Sequence, residues 1–166
     1  MIRNRAALAL LLSGVVAPAL QILYFWPRLP ERVGSHFGPS GTADGWMSKG
    51  AFFGFHIGVV AFILLVFFGM GSLLKHTPDD LVNLPNKDYW LAPQRRTATF
   101  RVIQDEMFRF GTATMLLFAA VMQSILQANA ADRDSIGTYP LLLLVAYLVY
   151  TGFWLVGLQR RFTLPR

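Results

Sequence analysis

Four stretches of the chain are apolar at almost every position: residues 6–26, 51–74, 110–130 (apart from Thr, Ser and Gln) and 139–158. Each is about twenty residues or slightly more, enough at ~1.5 Å per residue to cross a hydrocarbon layer of roughly 30 Å. Backbone amides in lipid must pair within their own segment. The pattern therefore predicts an all-α integral membrane fold, with four transmembrane helices in a single domain over residues 1–166. The first run also has the look of a secretory leader, with Arg3 and Arg5 ahead of it and Ala17-Pro18-Ala19 as an A-x-A end. However, its apolar character continues to Tyr24, Phe25 and Trp26, which is long for a leader and ends in interfacial aromatics. It is read as a span, with Pro18 as a mid-span kink.

The segments between the spans are patterned differently. Pro27 and Pro30 stop the first helix, and Gly38-Pro39-Ser40-Gly41 and Asp44-Gly45 are turn signals. Only residues 32–37 between them suit an extended backbone; Trp46 and Met47 return to the interface, and Ser48 is placed to cap the second span. This predicts a defined, packed loop. Between spans two and three, residues 84–91 are turn-rich and Pro93 suits a first helical position. Phe100, Ile103, Met107 and Phe110 then follow helical spacing, with Arg95, Arg96, Arg101, Asp105 and Arg109 on other faces. The expectation is an amphipathic helix that lies on the leaflet or runs straight into span three. Snorkelling Arg and buried Phe explain it as an anchor; a docking surface for a cytoplasmic partner is the alternative.

Composition agrees with the pattern: 54% hydrophobic, 14% charged and a mean hydropathy of +0.45. So few charges cannot cover a globular surface, so the bilayer is the expected solvent. The net charge of +6 does not point to nucleic acid, because the basic residues cluster beside apolar runs as topology signals do. Arg3 and Arg5, then Lys75, Lys87, Arg95, Arg96, Arg101 and Arg109, then Arg160, Arg161 and Arg166 assign both termini and the middle loop to the cytoplasm. The loops holding only Arg28, Arg32, Lys49 and Arg133 face outward on this count. The chain has no Cys, which excludes disulfides, thiolate catalysis and Cys-based metal sites.

Candidate chemistry is sparse. His36, His56 and Asp44 fall on one side of the membrane and would make a His/His/carboxylate metal set, with Glu31 nearby. They lack H-x-x-x-H or H-E-x-x-H spacing, and the alternative is that His36 bonds a loop carbonyl while Asp44 caps a turn. His56 is an ionisable group inside a span, which is a functional candidate by default. Gly50, Gly54 and Gly58 form a small-residue stripe expected to serve helix packing within the chain. Gln21, Gln123 and Gln127 should point inward and bond across helices. No span has a charged residue near its centre, which argues against a proton pump or ion-coupled carrier; no cofactor and no enzymatic activity are expected.

Two motifs carry a resemblance. The first is Leu29-Pro30-Glu31-Arg32-Val33, His36-Phe37, Gly41, Asp44-Gly45-Trp46 and Ser48-Lys49; the second is Asn83-Leu84-Pro85-Asn86-Lys87-Asp88-Tyr89-Trp90-Leu91. Together, within residues 29–91, they resemble the signatures of a bacterial membrane domain-of-unknown-function family that also occurs in SdpI-like immunity proteins. The likeness covers roughly the first 95 residues. It implies a bacterial inner-membrane protein of immunity or signalling type and points to His36, Asp44, Trp46, Asn86, Lys87 and Asp88 as ligand- or partner-binding residues. The partners it implies are a peptide toxin or lipid outside and a regulator inside. Two other functions remain open: an accessory subunit of a larger membrane complex, and a metal-handling protein using His36, His56 and Asp44.

Overall fold

A computed structural model describes residues 5–164, apart from the side chains at positions 71, 72 and 75; Arg3, Arg166 and the side chain of Lys75, which entered the charge asymmetry, lie outside the described residues. The elements in chain order are α1 (Arg5–Ser13), α2 (Val16–Phe25), β1 (Arg32–Phe37), β2 (Ala43–Ser48), α3 (Lys49–His76), a 3-10 turn (Asp79–Leu81), α4 (Lys87–Trp90), α5 (Pro93–Ala130) and α6 (Tyr139–Arg161). Four helical segments are long and apolar enough to cross a membrane, with α1 and α2 together making the first. The fold is that of a multi-pass helical membrane protein carrying one small two-stranded sheet.

Local chemistry explains the boundaries. The first span breaks between Ser13 and Val16 because Pro18 has no N–H to offer the carbonyl of Gly14 and its ring crowds that turn. Ser48 caps α3 by accepting from the Ala51 amide. Pro93 opens α5, which then runs 38 residues without interruption. The expected amphipathic segment is thus the first half of α5 and leads directly into the third span.

α5 is the central post. α1, α2, α3 and α6 all pack on it, and its buried positions run from Thr99 through Gly111, Met115, Ala119 and Met122 to Ala128. In lipid, apolar burial brings little transfer gain, so close packing decides which surfaces meet. Gly14 lets Met115 approach, and Gly111 lets Phe67 and Leu11 approach: a Cβ at Gly111 would lie 2.7 Å from Phe67 Cγ and 3.1 Å from Leu11 Cδ1.

The stripe Gly50, Gly54 and Gly58 is not used in this way, which corrects the expectation of intrachain packing. A Cβ at any of the three would meet nothing within 4 Å. The face of α3 turned to the bundle carries Phe53, His56, Val60 and Ile63 instead, and the glycines lie round the other side. Of the three expected glutamine contacts, one cross-helix pair forms: Gln21 Nε2 donates to the Ala119 carbonyl at 2.7 Å and to Gln123 Oε1 at 3.0 Å. Gln127 is exposed at the surface of α5.

Candidate functional site at the hairpin end

The segment between the first two spans folds as an antiparallel hairpin rather than a single extended strand. Val33 opposes Met47, Gly34 opposes Trp46 and Phe37 opposes Ala43, with register shifts on both sides of His36. Alternation sorts the side chains. Val33 is fully buried and joins a core with Phe25, Leu29, Phe52, Phe53 and Leu126, whereas Arg32, His36, Asp44 and Trp46 are exposed.

Two outside elements fix the hairpin. Asn129, in the last turn of α5, accepts from the Gly34 amide through Oδ1 (2.6 Å) and donates through Nδ2 to the Gly34 carbonyl (2.9 Å). A side-chain amide here completes both backbone bonds of a strand residue. The α5–α6 connection supplies the second clamp: the Ala43 amide donates to the Asp134 carbonyl at 2.8 Å, and the Ile136 amide donates to the Gly41 carbonyl at 3.0 Å. Gly41 is required at this crossing, because its φ is +78° and a Cβ would fall 2.6 Å from the Gly137 carbonyl oxygen.

On the exposed face, His36 Nδ1 and Asp44 Oδ1 pair directly, helped by the irregular register between them. The Arg32 guanidinium lies 5.7 Å from the centre of the Trp46 ring. At the hairpin's exit, Lys49 pairs with Glu31 at 2.7 Å. Of the metal set, His36 and Asp44 therefore meet, but His56 does not join them. It lies buried in α3, edge-on to Phe118 at 5.1 Å between ring centres, with neither ring nitrogen hydrogen-bonded among the described residues. Among those residues no three His, Asp or Glu side chains converge as ligands for a metal ion. His36 and Asp44 bond each other, rather than the loop carbonyl and turn of the alternative.

The second motif lies at the opposite end of the bundle. Asn86 adopts a left-handed conformation (φ 53°) before α4. Its Nδ2 and the Trp90 Nε1 both donate to the Phe162 carbonyl, at 3.0 and 2.8 Å. Phe162 is buried against Val82, Leu91, Phe100 and Ile103, so this motif ties down the end of α6. Lys87 and Asp88 stay near the surface, around a shallow depression shared with Asp79 and Asp80. Asn129 and Phe162 carried no recognisable sequence signal, since a lone Asn at a helix end and a Phe after a span have many other uses.

Residues 14–60 match a family described only as a domain of unknown function (DUF1648). That stretch is α2, the whole hairpin and the first half of α3, well under half of the chain, and it leaves out the second motif. No curated protein and no solved structure matches this chain.

Proposed function

We propose that the chain is a non-enzymatic bacterial inner-membrane protein of immunity or signalling type. Its hairpin end faces outward and recognises a peptide, toxin or lipid; its α4 end faces the cytoplasm and contacts a partner. The observation that carries this reading is the hairpin's exposed face. Arg32, His36, Asp44 and Trp46 stand on a backbone clamped on both sides, by Asn129 and by the α5–α6 connection. Rigid presentation of Arg and aromatic side chains favours recognition, because little ordering entropy is lost on binding. The Lys and Arg asymmetry supports the orientation, and the SdpI-like resemblance supports the immunity assignment.

The test is genetic. Deleting the gene should sensitise cells to an external peptide, and complementation with Arg32→Ala/Trp46→Ala should fail although the protein reaches the membrane at normal levels. Full rescue by that double variant removes the recognition role. Because the chain has no Cys, single thiols test the orientation: Asp44→Cys should react with an impermeant maleimide on intact cells, and Lys87→Cys only after permeabilisation.

An accessory-subunit reading is favoured by a different observation. The Gly50, Gly54 and Gly58 stripe is open and no residue of α6 is buried, which leaves two helix faces available to other proteins. A stoichiometric membrane partner recovered in mild detergent would favour it over the receptor reading.

A further inference from the structure

A groove of about 850 Å³ runs between α2 and the last turns of α5, separate from the hairpin face. Its lining is graded along the membrane normal. Arg28 and Arg133 stand at the mouth and no carboxylate lines it; Asp132 and Asp134, beside Arg133 in sequence, are not part of the wall. Neither arginine has an ion-pair partner among the described residues. Arg28 is held in place by stacking 3.8 Å over the Tyr24 ring and donating to the Tyr24 carbonyl, which leaves further N–H groups of its fork free. Below the mouth come Gln127 and, one turn or about 6 Å deeper, Gln123. Gln123 uses its carbonyl to accept from Gln21, so its amide protons remain available. The floor continues past Ala17 and Leu20, and Leu20 is largely exposed on the outside of the bundle.

We propose that this groove is a binding site for one phospholipid with a net-negative headgroup, drawn from the leaflet at the hairpin end. The phosphate is held between Arg28 and Arg133, the glycerol esters accept from Gln127 and Gln123, and an acyl chain lies along Ala17 and Leu20. Depth selects the occupant. A groove that descends beside two spans lies in hydrocarbon, where a peptide backbone would bury unpaired amides and an acyl chain buries nothing polar. Charge selects the headgroup: two guanidinium groups facing no acid bind an anion with charge-assisted bonds. The order cation, amide donor, apolar wall matches the order of groups down a phospholipid. The site does not depend on the hairpin face recognising anything.

The experiment titrates the purified full-length chain in detergent with phosphatidylglycerol, phosphatidylcholine or diacylglycerol and counts adducts by native mass spectrometry. One phosphatidylglycerol should bind on the order of tenfold or more tighter than diacylglycerol, with phosphatidylcholine between them. Arg28→Gln/Arg133→Gln should reduce phosphatidylglycerol to the diacylglycerol level, while Arg101→Gln, at the other end of α5, leaves it unchanged. Ala130→Trp, which fills the mouth without removing a charge, should abolish the adduct at unchanged helical circular dichroism. The proposal is overturned if diacylglycerol binds equally, if the adduct survives both groove variants, or if millimolar inorganic phosphate displaces the lipid, which would mark a free-anion site.

Discussion

α5 and α6 are both apolar enough to span a membrane, yet they occupy opposite situations. α5 packs against every other long helix and buries residues along most of its length; α6 buries none and packs chiefly on α5. The more central helix is the less apolar of the two. Its seam holds Gly111, Thr112, Met115 and Ala119, while α6 turns Leu141, Leu142, Leu148 and Phe153 outward. In water the greasier helix would be the core. In lipid, Leu gains nothing by leaving the acyl chains, so the interior goes to helices that can be approached closely. α6 is held instead by particular contacts: Phe110 stacks on Trp154 at 4.4 Å, Thr114 shares a 2.6 Å hydrogen bond with the Tyr147 hydroxyl, and Arg161 reaches Glu106 at 2.9 Å.

The contrast breaks most sharply at a matched pair of glycines. Gly111→Leu should destabilise the fold by about 3 kcal/mol or more, because the new side chain has to displace Phe67 and Leu11. At Gly152 on α6 an added Cβ meets nothing within 4 Å, so Gly152→Leu should change stability by less than about 0.5 kcal/mol. Thermal unfolding in detergent, followed by helical circular dichroism, compares the two; equal losses would mean that α6 is packed as tightly as α5.

Glu106 comes next. It is a buried carboxylate that pairs with Arg109 on its own helix and Arg161 on α6, both at 2.9 Å. Glu106→Ala should cost about 2 kcal/mol, reduced from the fully buried case because both arginines are near half exposed. A double-mutant cycle with Arg161→Ala isolates the share that ties α6 to the bundle, and zero coupling would leave the aromatic contacts, the Thr114–Tyr147 bond and the bonds to the Phe162 carbonyl to hold it.

Asn129→Ala removes both bonds to Gly34 and should cost about 1–2 kcal/mol. The loss should be local: amide exchange rises in residues 32–48 while the α3–α5 seam stays protected. A smaller loss than that of Asn129→Ala belongs to Tyr147→Phe, which deletes one bond on the α6 side and should cost about 0.6 kcal/mol, the usual scale for a hydrogen bond between spans. A cost above that of Asn129→Ala would reverse the order of importance of the two attachments.

Much of the architecture is legible in the sequence. The spans, the Ser48 cap, the start of α5 at Pro93 and the break ahead of Pro18 all follow from hydropathy and from residues that act on their own backbone. The candidate site was legible in part. Turn chemistry located the segment containing His36, Asp44 and Trp46 and put residues 32–37 in an extended backbone, but it did not show β2 as a partner strand. Nor did it show that His56 stands apart from His36 and Asp44, among aromatic rings in α3.

Local pattern, then, was sufficient for how many helices cross, where each begins and where the chain turns, because caps, prolines and apolar run length exert their effects within a few residues. Three-dimensional packing alone settled which face of each helix is inward, that Gly111 and not Gly54 meets a neighbour, and that Asn129 and the Asn86–Trp90 pair close the two ends of the bundle. The reason is energetic. An apolar side chain is nearly as content against an acyl chain as against another helix. Hydropathy therefore cannot distinguish the two surroundings, and the choice falls to shape and to a few hydrogen bonds between residues far apart in the chain.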